Sequence, residues 1–151
     1  MAERGMGWYK FLINFALPLG VVWNIAFGVI AVTGYAYKMY DVDPTLIYAL
    51  YPGLQTVDII YGVALFLLAA VGIAARFMLA KYMRLGPIAL YALYFLVIVV
   101  EIVYAALVAH LTESSFIEAF SIQNIIWLVA QFVCLVVSFV YFRKRSDMFI
   151  H

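Results

Sequence analysis

The sequence predicts an all-α membrane protein: a four-transmembrane-helix bundle with both termini in the cytoplasm, all 151 residues forming one membrane domain. Three observations predict it. Hydrophobic residues make up 69% of the chain and charged residues only 11%, with a mean hydropathy of +1.09. Soluble domains carry about 25% charged residues. Four apolar runs, at about 10–36, 56–80, 87–110 and 121–142, each reach the roughly 20 residues that a membrane helix needs. Eight of the nine basic residues fall on one side of that arrangement.

The composition excludes several classes. A net charge of +1 gives no basic face, so no nucleic-acid partner is expected. The single cysteine, Cys134, rules out an intrachain disulfide and a thiol relay. Two histidines, His110 and His151, with no Cys/His cluster, make a zinc site unexpected, and no glycine pattern for a nucleotide cofactor is present. Neither a metal nor a cofactor is expected.

The first run, Phe11 to about Tyr35, is longer than a signal-peptide core and lacks a cleavage pattern, so it reads as a retained helix. Asp43-Pro44 has the form of an N-cap with proline at the first helical position, opening a short surface helix from Thr45 to Tyr51 that Pro52-Gly53 stops. Thr56 is expected to cap the second helix, with Asp58 in its first turn. Gly86-Pro87 reads as the break before the third helix. Ser115 and Glu118 have capping-box spacing, which lets the fourth helix begin before Ser121.

Arg4, Lys10, Arg76, Lys81, Arg84, Arg143, Lys144 and Arg145 lie on one side, and Lys38 alone on the other. The positive-inside rule then places both termini and the 81–86 connection in the cytoplasm, with Asp41, Asp43, Asp58, Glu113 and Glu118 on the outer side. Trp8 and Tyr9 mark the inner aromatic belt, and Tyr35, Tyr37, Tyr40, Tyr48 and Tyr51 the outer one. The run Arg143-Lys144-Arg145 reads as a topology anchor, with anionic-lipid contact as its sharper use.

Each helix has one small or polar face. Gly20, Asn24 and Gly28 recur every four residues in the first, with Pro18 as a source of a kink. Asp58, Gly62, Ala69, Gly72 and Arg76 fall on one side of the second. Tyr94, Glu101, Ala105 and Val108 align on the third, and Asn124, Trp127, Gln131, Cys134 and Ser138 on the fourth. These faces are expected to point inward, because unsatisfied polar groups are costly in hydrocarbon. Asn24, Glu101 and Gln131 are expected to share a polar layer near mid-depth, with Tyr94 or Tyr104 supplying hydroxyls. Glu101 is the residue to single out: no cation of the chain shares its depth, and an intramembrane acid points to a proton or cation site. The competing readings are a protonated acid that serves as packing glue, hydrogen-bonded to Gln131, Asn24 or a tyrosine, and an interface with another protein.

The Gly7-Trp8 pair before the first helix, Trp127 in the fourth, and the ending Tyr141-Phe142, Arg143-Lys144-Arg145, Ser146, Phe149 resemble those of a bacterial family of small four-helix inner-membrane proteins of unknown function. The resemblance covers topology throughout and residues at the two ends. It carries no catalytic or binding residues. Length and the lack of eukaryotic targeting signals point to a bacterial plasma membrane, with an organellar or endoplasmic reticulum membrane as the alternative.

On these grounds the preferred expectation is a non-catalytic subunit, scaffold or assembly partner, in contact with the lipid bilayer and with itself or another membrane protein. Gly62, Ala69 and Gly72 offer its best contact face if they are not used inside the bundle. The alternative is an oligomeric transporter or channel coupled to protons through Glu101. An enzyme built on Ser114, Ser115, His110 and Glu113 is the least favoured reading, since any polar loop offers such a cluster.

Overall fold

The computed structural model describes residues 5–115 and 122–150. All regular elements among them are helical, and four helices are long and apolar enough to cross a membrane. They are α1 (Gly7–Thr33), α4 (Leu54–Ala80), α5 (Leu85–Thr112) and α6 (Ile122–Arg143). Two short helices, α2 (Tyr35–Lys38) and α3 (Pro44–Leu50), connect α1 to α4. At 1.5 Å per residue the 27 residues of α4 extend about 40 Å. The capping-box pair Ser115–Glu118, the start near Ser121 and Arg4 fall wholly or partly outside the described residues.

Local signals explain most boundaries. Gly34, at φ +71°, ends α1 in the left-handed conformation that glycine tolerates best. Asp43 caps α3, its Oδ1 accepting the Thr45 N–H at 2.9 Å, with Pro44 in the first turn. Three expectations need correction. α4 starts at Leu54 behind Gly53, so Thr56 lies exposed inside the helix and does not cap it. Asp58 is consequently past the first turn. Gly86-Pro87 does not break the chain but sits in the first turn of α5, where proline's missing N–H costs nothing. The break falls on residues 81–84, with Tyr82 at φ +55°.

Pro18 acts through its neighbours. Residues Leu12–Ala16 form one wide π-turn, closed by the Leu17 N–H on the Leu12 carbonyl five residues back. In that register the Ile13 carbonyl would fall to Pro18, which has no N–H. Arg76 of α4 supplies the donor instead, its Nε 2.9 Å from the Ile13 oxygen. A side chain counted among the topology charges thus repairs the proline defect.

The spanning helices pack in chain order: α1 on α4, α4 on α5, α5 on α6. The α1–α4 seam is the tightest. A Cβ added at Gly62 would collide with Val32 Cγ2 and lie 2.8 Å from the Gly28 carbonyl oxygen. One added at Gly28 would meet the Phe66 ring at 2.7 Å. Gly72 sits against Val21 in the same way. Gly62, Ala69 and Gly72 are therefore buried inside the bundle and present no outer contact face. Gly20 also departs from expectation: nothing lies within 4 Å of its missing side chain.

At the end carrying Lys10, Lys81, Arg84 and Arg143, hereafter the basic end, aromatic side chains tie the chain together. Trp8 Nε1 donates to Ser138 Oγ at 3.1 Å, and Tyr9 donates to the Leu79 carbonyl at 2.9 Å. Tyr141 and Arg145 both donate to the Gly5 carbonyl, at 3.2 Å each, with the guanidinium 4.0 Å from the Tyr141 ring centre. Arg145 is thus turned inward, while Arg143 and Lys144 stay exposed. Large apolar side chains elsewhere point outward. In α1 and α6 only 17% of the most apolar stretch is buried within the chain, as expected of helices whose solvent is hydrocarbon.

Gly62→Ala is expected to lower the detergent melting temperature, since overpacking a seam of this kind costs about 1–3 kcal/mol. Gly20→Ala is expected to leave it unchanged or raise it, because the open site admits the methyl and alanine favours helix by about 1 kcal/mol. Equal effects of the two would contradict the α1–α4 seam.

Candidate functional site

α4 and α5 run antiparallel, and each carries an acid followed three residues later by a tyrosine: Asp58 and Tyr61 on α4, Glu101 and Tyr104 on α5. That spacing puts both groups of a pair on one helix face. The two pairs meet crosswise. Tyr104 donates to Asp58 Oδ1 at 2.8 Å, and Tyr61 donates to Glu101 Oε1 at 2.5 Å. Between these bonds the Tyr61 and Tyr104 rings stack, with centroids 4.0 Å apart.

Asp58 is only 3% exposed and is served by two further hydroxyls. Tyr37 of α2 and Tyr48 of α3 each donate to Oδ2 at 2.9 Å. The helix following Gly34 and the short helix opened by Pro44 thus exist in the right place to close a tyrosine cage over one carboxyl group. Burial first, and the Asp58 charge second, push the Tyr37 hydroxyl well above the ordinary tyrosine range. Burial and the Asp58 hydrogen bond do the same for Tyr48.

The Glu101 pair opens onto space. A cleft of about 390 Å³ lies beside it, walled by Trp23, Asn24 and Phe27 from α1 and by Asn124 and Trp127 from α6. Tyr61 and Glu101 form its polar inner wall. A second cleft of about 210 Å³ continues toward the basic end, sharing Asn24, Trp127 and Ala130 with the first and reaching Gly20, Tyr94, Gln131 and Cys134. Both exist because α1 and α6 do not pack backbone to backbone. Side chains bridge them instead, through the Trp8–Ser138 bond and the Trp23–Trp127 stack at 5.1 Å.

The polar layer expected at mid-depth is thus redistributed. Glu101 bonds Tyr61, and neither Asn24 nor Gln131 bonds it among the described residues. Asn24 and Gln131 are 7% and 8% exposed and line the clefts. Tyr104 serves Asp58, and Tyr94 pairs with the Cys134 thiol on α6. Asp58, which the sequence places on the inward face of its helix, and Tyr61, which it does not mark, complete the core of the site. The repeated acid-x-x-Tyr spacing was the signal available for them. His110 is exposed at the end of α5, and the Ser114 hydroxyl is hydrogen-bonded to Thr112. Among the described residues no group of three His, Cys, Asp or Glu side chains is placed to hold a metal ion.

No known protein-family model matches the chain, no curated protein matches its sequence, and no solved structure matches its fold.

Removing the Asp58 carboxyl strands three hydroxyls. Asp58→Ala is expected to lower unfolding stability by about 2–4 kcal/mol, from the usual cost of unsatisfied buried polar groups, and Asp58→Asn by less, since it keeps one acceptor oxygen. Thermal melts of the two variants in one detergent check the order. The raised Tyr37 and Tyr48 hydroxyls set a second expectation. Below pH 10 both tyrosines are neutral, folded or unfolded, and stability is level. Above pH 10 the unfolded chain ionises first, so stability falls until the folded hydroxyls follow. An alkaline melting series should show this fall, and Tyr37→Phe with Tyr48→Phe should weaken it.

Proposed function

We propose that the chain is an integral protein of a bacterial plasma membrane, with both termini cytoplasmic, and that it works as a small proton-linked carrier through Glu101. The observation that carries this reading is Glu101 itself. It lies within one turn of the middle of a spanning helix, holds a single tyrosine bond, and forms a wall of a cleft large enough for a small molecule. An acid used only as glue has no need of an open cavity, and Asp58, with three donors and 3% exposure, illustrates that closed alternative in the same bundle. Outside a cation's reach a carboxyl in hydrocarbon holds a proton, and exchanging the two is the elementary step of a coupled carrier.

The orientation follows from the eight basic residues on the side of the termini. Four helices enclose little volume, so the working unit is taken to be a homo-oligomer. No covalent step is involved. The non-catalytic subunit reading loses its best contact face, because Gly62, Ala69 and Gly72 are spent on the bundle's own interior.

Two measurements test the proposal. Proteoliposomes enclosing a pH-sensitive dye should show proton movement with the native chain and none with Glu101→Gln, whose helicity and melting temperature should match the parent. The native mass of the assembly, extracted mildly from its own host, should be a multiple of the 17.1 kDa chain. A foreign protein in fixed ratio, with no proton movement, would replace the carrier with an accessory subunit.

A further inference from the structure

The proposed carrier leaves its cargo unnamed, and the cleft narrows the choice. Its walls combine three features. The first is aromatic: Trp23 and Phe27 of α1 stack on each other with centroids 4.5 Å apart, Trp23 stacks on Trp127 of α6, and Tyr61 presents a fourth ring. The second is charge. Among the described residues, Glu101 is the one ionisable carboxyl lining this cleft, and no Lys, Arg or His lines it. The third is access. The cleft runs between the two helices that fail to pack, and their outward side chains are apolar.

We infer that the cargo is a lipophilic organic cation, which enters sideways between α1 and α6 and rests among Trp23, Phe27 and Trp127 with its charge against Glu101. This rests on the carrier reading and names its substrate class. The chemistry follows from complementarity. Aromatic faces attract cations, by about 0.5–2 kcal/mol per ring. A lone carboxylate in a poorly hydrated site requires a positive partner, and the described residues lining the cleft supply none. An anionic amphiphile would meet the carboxyl without any compensating base. A neutral one would leave the Glu101 charge unanswered when the proton departs.

Charge bookkeeping then links the cargo to protons. A cation binds the carboxylate only after Glu101 releases its proton, so cation and proton compete for one group. Among the described residues, each element around Glu101 contributes named groups. Tyr61 of α4 faces it directly, with Tyr104 and the caged Asp58 behind that ring. Asn24 comes from α1, and Asn124 and Trp127 from α6. Asp58 is held by three hydroxyls of its own, so Glu101 is the group free to exchange. Asn24, without a charge, is placed to meet a polar substituent of the cargo.

The probe is tetraphenylphosphonium, with triphenylphosphine oxide as its neutral counterpart, both titrated onto the full chain in nanodiscs with tryptophan fluorescence as readout. Tetraphenylphosphonium should bind at least tenfold more tightly than the oxide. Its affinity should fall about tenfold per pH unit on the acid side of the Glu101 titration. Glu101→Gln should abolish the pH dependence and weaken binding at least tenfold. Trp127→Ala should weaken it about two- to thirtyfold, the range that one cation–ring contact corresponds to. Where Glu101→Gln does not fold, the pH competition in the native chain and the Glu101→Asp variant carry the test. Equal binding of the two probes, or binding insensitive to pH, would overturn the assignment. Proton movement that requires Glu101 in a chain that does not bind tetraphenylphosphonium would likewise overturn the cargo class while leaving the carrier reading in place.

Discussion

A carboxyl group without water must find hydrogen-bond donors inside the protein, and that requirement organises this bundle. Asp58 and Glu101 sit on neighbouring antiparallel helices, and each takes a hydroxyl from the other's helix. The exchange fixes axial register, because sliding α4 past α5 by one turn would strand both acids at once. It fixes rotation as well, because acid and tyrosine share one face of each helix. Apolar side chains alone set neither quantity, since lipid and leucine are equivalent neighbours for a helix in a membrane. The polar cross-bond is the specific contact to which the glycine seam and the aromatic clasp are added.

From that pair the rest follows in two directions. Toward α1 the contact is steric: Gly28 and Gly62 let backbones touch, so α1 is held by shape. Toward α6 the contact is looser and made by larger side chains, Tyr91 on Phe139 and Tyr94 on Cys134. Glycine recurrence in α1 does not continue along the whole helix as packing, for Gly20 borders empty space and not a neighbour. A helix that used every small residue for contact would have drawn α6 in and closed the cleft. The side of α1 that faces α4 thus carries the structural duty, and the side that faces α6 lines the clefts.

Much of this was legible in the residues, and the failures have physical causes. The four long apolar helices end within about three residues of the hydropathy runs, because an unbroken apolar run of that length is helical and Pro44 and Gly53 punctuate plainly. Glu101 stood out, since an acid in an apolar run has no soluble explanation. Its partner did not. Helical periodicity reveals which face a residue occupies but not which side chain stands opposite, so Tyr61 was passed over in favour of Tyr94 and Tyr104, which serve Cys134 and Asp58. Asp58 was taken for a helix-end acid because it lies near the end of an apolar run. The two short helices that bury it depend on chain reversals that no periodicity encodes. Arg145 and Arg76 read as topology charges, yet each donates to a backbone carbonyl, one at Gly5 and one at Ile13, five residues before Pro18.

The clasp at Gly5 has a mechanical meaning. Tyr141 and Arg145 fasten the start of the chain to its finish, and Trp8 pins α1 to α6 just above. The two helices that border the cleft are therefore the arms of a pair of tweezers, joined at the basic end. Because α1 is also held against α4 at Gly28 and Val32, any separation is a movement of α6 about that joint and grows with distance from it. The indole pair Trp23–Trp127 lies well along the arms, and Glu101 faces the gap beyond the joint. A small rotation at the joint becomes the widest parting where the acid waits, so the grip on the chain's ends sets the stiffness of the whole opening.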